Sequence, residues 1–334
     1  MLLRIFKGTV PGVMILIIIT LITVWVGAFV KLQSQFSLYF DLDPMPLYGI
    51  LGSIIGTNPL PGILIVFSLI SLMAFLMVNL NTSLLFINER TFIPALIYIL
   101  LSGLFSQYQV LNPAILGAVF LMLAIRQIMD SYRVQGVAYN FFDAGILIST
   151  GSLFYANLIW FGLLVFIGIA LLRSFNIKEI AIALTGLFTP YILAFGIYYL
   201  LGKDATHLFS LMDYNLFEKP SDYVFTRLNL AAVIFSGLAT FISVGYLLMR
   251  MNVKKIKSRK TFSLLIWLFI ISLGVYIFIP SVSVEIIYII GIPASYFLTH
   301  FFIFAKSKLI PEALFAVFFL LIMVTQIVNI VSVI

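Results

Sequence analysis

The sequence contains no cysteine, only two histidines and few charged residues, and each scarcity excludes a class of function. Without cysteine, the chain has no disulfide, no thiol catalysis and no thiolate metal site. With His207 and His300 as the only imidazoles, a metal centre would need mostly carboxylates, and no carboxylates follow a ligand spacing. The sequence also lacks a P-loop, a dinucleotide-binding fingerprint and a His-Glu-x-x-His motif. We therefore predict no metal and no organic cofactor.

Charged residues make up only 9% of the 334 residues, whereas 63% are hydrophobic, and the mean hydropathy is +1.19. Soluble domains contain roughly 25% charged residues, so most side chains here must face lipid or one another. The apolar runs are continuous over about 20 residues, as in transmembrane helices and unlike the alternating strands of a barrel. The composition therefore predicts an all-α fold, a polytopic transmembrane helical bundle, with residues 1–334 forming a single integral membrane domain.

Eleven apolar segments are each predicted to form a membrane-spanning helix. The fifth and sixth segments are the least separated and could instead form one long helix over 142–173. The first segment follows a basic start and lacks a small-residue cleavage site, which indicates a retained signal anchor. The predicted spans are 11–30, 61–80, 91–106, 112–129, 142–155, 157–173, 179–202, 226–249, 261–279, 284–304 and 312–333.

The basic residues predict which side of the membrane each loop faces. With the N-terminus in the cytoplasm and eleven spans, 15 of the 19 basic residues lie inside and four lie outside, as the positive-inside rule requires. A single helix over 142–173 would reverse every later loop and place the basic run "MNVKKIKSRK" outside. We therefore prefer eleven spans and a C-terminus in the periplasm. This distribution also explains the net charge of +7 without nucleic acid as a partner.

Two predicted external loops, about 31–60 and 202–225, contain candidate catalytic residues. Asp41 and Asp43 follow the first span, and Arg227 begins the eighth. A carboxylate near a cation at the outer surface suits a transferase that uses a polyprenyl-phosphate-linked sugar. The carboxylate would act as the general base and the cation would stabilise the leaving phosphate. The alternative interpretation is that these are solvated loop residues.

Three arginines at the predicted cytoplasmic edge are candidates for binding a lipid phosphate. Arg90 lies beside Glu89, Arg126 ends the fourth span, and Arg133 follows in the next inner loop. Guanidinium groups bind phosphate oxygens in a bidentate geometry. Side chains that only orient the helices at the interface are the alternative. We thus expect membrane lipids as partners.

Other polar residues at membrane depth have mainly structural interpretations. Asp143 is predicted to cap the helix that begins near residue 142, and Glu285 to cap the tenth span. Gly145, Ser149 and Ser152 form a small-residue face that would let a neighbouring helix approach closely. His300, Gln326 and Asn329 could line a polar path through the membrane, or could hydrogen-bond between packed helices.

Several segments resemble a family of uncharacterised multi-pass inner-membrane proteins of Bacteroidetes. The similarity is best over about residues 88–201 and includes Phe142-Asp143-Ala144, Ser152-Leu153-Phe154-Tyr155, and Arg90 near Pro94. This resemblance implies an integral protein of the inner membrane of a Gram-negative cell envelope. It implies no activity and no catalytic residues.

Three functions fit the sequence. The first is a transferase acting on a polyprenyl-phosphate sugar, similar in layout to C-type glycosyltransferases, which have many helices and an acidic first external loop. The second is a non-catalytic membrane-protein partner in an envelope assembly, which would use its small-residue faces to dock other subunits. The third is a lipid or solute carrier with His300, Gln326 and Asn329 along its path.

Overall fold

The computed structural model describes residues 2–30, 43–56, 58–105, 109–132, 138–173, 177–202, 204–218 and 225–331. Within these ranges the chain is helical and contains no strand. Short 3-10 segments occupy 156–162, 251–253 and 284–286, and a π-helical turn occupies 214–218. The α-helices are α1 (Leu2–Phe6), α2 (Pro11–Val30), α3 (Pro46–Ile55), α4 (Pro59–Leu84), α5 (Ile93–Ser102), α6 (Pro113–Asp130), α7 (Ala138–Ser152), α8 (Leu163–Leu172), α9 (Ile177–Leu200), α10 (Ala205–Asp213), α11 (Arg227–Met249), α12 (Ile256–Phe278), α13 (Ile287–Phe304) and α14 (Leu309–Val331).

Eight helical segments of the described chain are long and apolar enough to cross a membrane. They contain 18 to 26 residues, and at about 1.5 Å per residue they match a hydrocarbon core about 30 Å thick. The protein is therefore a multi-pass membrane protein with a helical-bundle fold, which confirms the predicted fold class. The eight segments are α2, α4, α6, α9, α11, α12, α13 with its preceding 3-10 turn, and α14.

Three of the eleven predicted spans form shorter helices, so the structure supports eight long spans rather than eleven. The segment predicted over 91–106 contains only the ten-residue helix α5, which at about 1.5 Å per residue covers half of the hydrocarbon core. All ten residues of α5 are buried. Its apolar sequence therefore reflects a position inside the bundle, where neighbouring helices replace lipid. Composition alone does not separate these two environments.

The segment 142–173 forms two helices and not one, which answers the choice that the sequence left open. Helix α7 ends at Ser152, and a turn follows in which the Tyr155 amide donates to the Gly151 carbonyl at 3.0 Å. The 3-10 segment Ala156–Gly162 then leads into α8. Both helices are shorter than the eight long spans.

The small-residue face predicted on α7 packs against α9. A Cβ atom at Gly145 would lie 2.9 Å from backbone atoms of α9, and one at Gly186 would meet the backbone of α7. Ser149 donates to the Gly145 carbonyl at 2.9 Å, and the Ser152 and Tyr191 hydroxyls are hydrogen-bonded. The two backbones approach this closely because neither glycine has a side chain, which confirms the predicted packing role.

Helix α13 lies at the centre of the bundle and is its most buried long span. Two buried tyrosine hydroxyls connect α13 to neighbouring helices. The Tyr98 hydroxyl of α5 donates to the Tyr288 carbonyl at 3.0 Å, and the Tyr296 hydroxyl donates to the Met77 carbonyl of α4 at 2.8 Å. Buried phenols need such partners in an apolar interior.

Contacts between helix termini define one end of the bundle, which we call the basic end. Lys7 donates to the carbonyl of Ile303 at 3.3 Å, and the Leu3 amide donates to Glu312 at 3.2 Å. The rings of Phe86 and Phe262 are 5.1 Å apart. These contacts bring together α1, the segment after α4, the start of α12, the end of α13 and the start of α14. The basic residues here include Arg4, Lys7, Arg90, Arg250, Lys254, Lys255, Lys257, Arg259, Lys306 and Lys308.

A second hydrogen-bond network defines the opposite end, which we call the groove end. Asn157 donates to the Ser281 hydroxyl at 3.2 Å, and Ser281 donates to the Leu216 carbonyl at 2.7 Å. Asn215 donates to the backbone carbonyl of Asp43 at 2.8 Å. Residues that precede α3, follow α7, follow α10 and follow α12 therefore meet at this end.

Candidate functional site

The groove end contains an open groove of about 640 Å³ between α3, α7, α9 and α10. Most of its lining is apolar, with five side chains that carry polar groups. Its volume lies in the range of about 300–1,000 Å³ that is typical of small-molecule sites. These side chains are Asp43, Ser53, Thr150, Tyr198 and His207.

Hydrogen bonds to three backbone carbonyls fix the side of the groove that contains Asp43. The buried side-chain amide of Asn215 donates to the Asp43 carbonyl at 2.8 Å and also to the Leu211 carbonyl at 2.9 Å. The Leu47 amide donates to the Leu153 carbonyl at 3.2 Å, which ties the start of α3 to the turn after α7. The backbone of Asp43 is therefore fixed while its side chain remains exposed in the groove.

Helix α10 positions His207 on the opposite side. The Asp204 side chain caps α10 by accepting a hydrogen bond from the Thr206 amide at 3.0 Å. Hydrogen bonds from Thr206 hold the pKa of Asp204 below its usual value, and nearby His207 lowers this pKa further. The His207 ring stacks against Tyr198 of α9, with centroids 6.4 Å apart. A short capped helix thus holds an imidazole beside an acid and a phenol.

The rim of the groove is apolar and exposed. Ile50 on α3 is 56% exposed, and Leu193 on α9 is 61% exposed, although both line the groove. Ile197 follows one turn later on the same helix and is also exposed. Exposed apolar side chains of a membrane-spanning helix contact lipid tails. The exposed apolar rim therefore suits contact with a hydrocarbon chain.

Comparison with known protein families places the chain in one of them. The profile of a family of unknown function, DUF6427, matches residues 46–334. The chain belongs to the DUF6427 family. No curated protein and no solved structure shows a significant match to it.

Membership in DUF6427 confirms in part the resemblance seen in the sequence. The match covers most of the chain, whereas the sequence motifs indicated about residues 88–201. Every described residue of the groove except Asp43 and Pro44 lies within the matched region. The family itself supplies no catalytic residues to assign.

The predicted outer-face residues of this DUF6427 chain are only partly brought together. Asp43 lies in the groove, and Asp41 lies outside the described residues. Arg227 is the exposed first residue of α11 and does not line the groove. Phe225, two residues earlier, lines a separate apolar cavity of about 170 Å³. The side chains that accompany Asp43 are instead His207 and Tyr198, whose proximity depends on how α9 and α10 pack.

Of the three arginines predicted to bind a lipid phosphate, Arg90 and Arg126 lie in the described part of the chain. The Arg126 Nε lies 3.8 Å from an oxygen of Asp130, with both side chains about half exposed. Such a surface pair contributes about 0–1 kcal/mol. Arg90 is exposed in the segment after α4, and Arg133 lies outside the described residues. Phosphate binding by these residues stays a prediction.

The structure corrects the predicted role of Asp143. Helix α7 includes Ala138, so Asp143 lies within the helix and not at its N-cap. Its side chain is exposed, whereas a cap would bind free amides of the first turn. The prediction placed the start of the helix near residue 142, where the apolar run begins, but Ala138 to Phe141 are already helical. Glu285 lies at the start of a span, in the 3-10 segment that precedes α13, but the N-cap residues there are Ser283 and Ile286, so its predicted capping role is not confirmed.

Of the three residues predicted to line a transport path, His300 lies on α13, whereas Gln326 and Asn329 lie on α14. His300 is buried among the rings of Tyr246, Phe262 and Phe304 at the basic end. Gln326 of α14 donates to the carbonyl of Gly103 after α5. These surroundings are packed side chains and backbone, so they supply no structural support for the carrier interpretation.

Proposed function

We propose that this protein is a transferase that binds a polyprenyl-phosphate-linked sugar in the groove, with Asp43 as the general base. The supporting observation is that Asp43 lines a groove whose rim is made of exposed apolar side chains. A lipid-linked donor requires both features, because its hydrocarbon chain must stay in the bilayer while its head reaches a polar site.

In this proposal two polar groups of the groove, Asp43 and His207, have chemical roles. Asp43 accepts the proton of an acceptor hydroxyl, whose oxygen forms a bond to the sugar C1. The bond between C1 and the phosphate oxygen breaks, and polyprenyl phosphate leaves with the electron pair. His207 replaces Arg227 as the group that stabilises the negative charge developing on that phosphate. The prenyl chain lies along Ile50, Leu193 and Ile197.

The proposal includes an orientation in the inner membrane. The basic end faces the cytoplasm, as the positive-inside rule favours, and the groove end faces the periplasm. The three shorter helical segments complete eleven crossings, so that successive segments run alternately between the two ends. Contacts such as those of Asn157 and Asn215 at the groove end agree with this path.

The Asp43→Asn variant tests the catalytic role. The protein would be reconstituted in liposomes with a radiolabelled polyprenyl-phosphate hexose and extracted periplasmic acceptors, and release of polyprenyl phosphate would be measured. Loss of a general base should slow turnover by about 10²–10⁴-fold while donor binding changes little. His207→Gln should slow turnover too, through the leaving group.

The matched control is Glu218→Gln, which removes an exposed acid from the groove end outside the groove. This variant should retain the turnover of the unmodified protein. If Asp43→Asn turned over as fast as the control, Asp43 would not be the base. If the unmodified protein bound no polyprenyl-phosphate donor, the proposed substrate class would be wrong.

The interpretation as a non-catalytic partner loses the feature on which it rested. The small-residue face of α7 is occupied by α9 of the same chain, through Gly145 and Gly186. That face is therefore not available to another subunit.

A further inference from the structure

The segment that connects α11 and α12, together with the first turn of α12, is strongly basic. No aspartate or glutamate occurs between Asp222 and Glu285, so no acid adjacent in sequence balances these cations. The ion pairs in the described part of the chain are Arg126–Asp130 and Arg173–Glu179, and neither involves this segment. The basic residues are Arg250, Lys254, Lys255, Lys257, Arg259 and Lys260.

Two of these cations share one aromatic surface. The Arg250 guanidinium carbon lies 5.1 Å from the centre of the Tyr246 ring. The Lys254 ammonium lies 4.7 Å from the Phe262 ring centre and 5.7 Å from that of Phe304. The Tyr246 hydroxyl donates to the Phe304 carbonyl, which joins the two parts of this surface. We call Tyr246, Phe262 and Phe304 the aromatic platform.

The electrostatics of the platform are unbalanced. Both Arg250 and Lys254 are half-buried. Burial and the nearby Arg250 lower the pKa of Lys254 from 10.5 to about 8. Contact with aromatic rings attracts a cation but adds no negative charge. His300, which is 2% exposed, packs on the same platform, and its Nδ1 has no hydrogen-bond partner in the described chain. An anion between the two cations would reduce their repulsion.

The surroundings identify the kind of anion. Met249, at the end of α11, is 86% exposed, and Val253, beside Lys254, is 90% exposed. Leu248 and Ile256 are also exposed. Apolar side chains interleaved with cations at the end of a membrane-spanning helix lie in the bilayer interface. A soluble anion would gain nothing from these apolar side chains, whereas a phospholipid would contact both.

We infer that Arg250 and Lys254 bind the phosphate of an anionic phospholipid at the basic end, with its acyl chains along Met249 and Val253. Arg250 contributes planar donors suited to phosphate oxygens, and Lys254 contributes a compact charge. This site lies at the opposite end from the groove and does not depend on the proposed transferase activity.

The experiment compares two double variants with equal loss of charge. Arg250→Gln with Lys254→Gln removes the platform cations, and Lys255→Gln with Arg259→Gln removes two exposed cations of the same segment. Each purified protein would be titrated with phosphatidylglycerol in phosphatidylcholine nanodiscs, and bound lipid would be counted by native mass spectrometry. The platform variant should bind phosphatidylglycerol at least about tenfold more weakly than the control variant.

A further variant separates binding from folding. Lys254→Arg keeps the positive charge. Because the phosphate is bound through that charge, this variant should retain most of the affinity for the lipid. Equal weakening in both double variants would show only a diffuse attraction to an anionic surface and would overturn the specific site. Competition by millimolar inorganic phosphate as effective as that by the lipid would overturn the lipid as the ligand.

Discussion

The lowered pKa of Lys254 predicts how the stability of the protein changes with pH. Its pKa is lowered to about 8 because partial burial and Arg250 both disfavour the protonated form. The unfolded chain would protonate this lysine up to a pKa of about 10.4. The unfolded state therefore binds more protons between these values, and stability increases as pH rises through this window. Below about pH 8 the lysine is protonated in both the folded and the unfolded state, so its destabilising effect no longer changes with pH.

Acylation of lysines at different pH values measures this shift directly. A brief pulse of acetic anhydride modifies only neutral amines, and mass spectrometry can quantify the modification of Lys254. This modification should be half-maximal near pH 8, well below the ordinary lysine value of about 10.4. A midpoint at the ordinary lysine value would show that the platform does not perturb Lys254.

The α7–α9 crossing is the element-scale feature most sensitive to a single methyl group. Gly186→Ala would press a Cβ against the carbonyl oxygen of Phe142, which is backbone and has no rotamer by which to move. Overpacking of this kind costs about 1–3 kcal/mol. We expect a lower midpoint of thermal unfolding in detergent for Gly186→Ala, and for Gly145→Ala, whose Cβ would lie 2.9 Å from backbone atoms of α9.

Gly196→Ala on the same helix is the control for this prediction. No heavy atom lies within 4 Å of a Cβ at Gly196, so the methyl group fits. Alanine favours a helix over glycine by about 1 kcal/mol, so this variant should be as stable as the unmodified protein or more stable. Equal destabilisation by Gly186→Ala and Gly196→Ala would mean that the close crossing does not contribute to stability.

Helices that are surrounded by lipid were predictable from the sequence. Helices that are surrounded by other helices were less predictable. The long spans, such as 226–249, have continuous apolar runs because lipid surrounds them, and the structure forms helices there. Helix α5 has the same composition but is surrounded by protein, so its ten-residue length could not be read from hydropathy. The role of Asp143 was misassigned for a related reason, since polar and aromatic residues before it already belong to α7.

The candidate site was less predictable than the fold. Asp43 was identified from its position after the first span, but the groove around it also needs His207 and Tyr198, which come from α10 and α9. The sequence paired Asp43 with Arg227 instead because both border external loops. Nothing in a one-dimensional pattern specifies which helices are neighbours at one end of a bundle, so side-chain partners across helices require the structure.

The two ends of the whole molecule differ in chemistry. One end has the aromatic platform and many cations. The other end has the groove with Asp43, which is lined in part by α10, the helix whose N-cap is Asp204. A difference of this kind orients a membrane protein, because basic loops are retained on the cytoplasmic side. The proposed donor site and the inferred phospholipid site would then serve opposite leaflets. The direction of insertion therefore decides which leaflet supplies the lipid at each site.

Single cysteines can determine this direction cleanly, because the chain contains no cysteine of its own. Ser210→Cys lies on the exposed part of α10 at the groove end, and Lys255→Cys lies at the basic end. In intact spheroplasts, a membrane-impermeant maleimide should label Ser210→Cys at once. Lys255→Cys should be labelled only after the membrane is permeabilised. The reverse pattern would contradict the proposed orientation.

The same labelling counts the crossings when cysteines are placed near the two termini, at Arg4 and after Ile334. An odd number of crossings puts the termini on opposite sides, so with eleven crossings Arg4→Cys should be protected and the C-terminal cysteine labelled in intact spheroplasts. If only the eight long helices crossed, both termini would lie on the same side and both cysteines would be protected. This second outcome would show that the three shorter helical segments do not complete crossings. The proposal that the groove faces the periplasm would then be wrong.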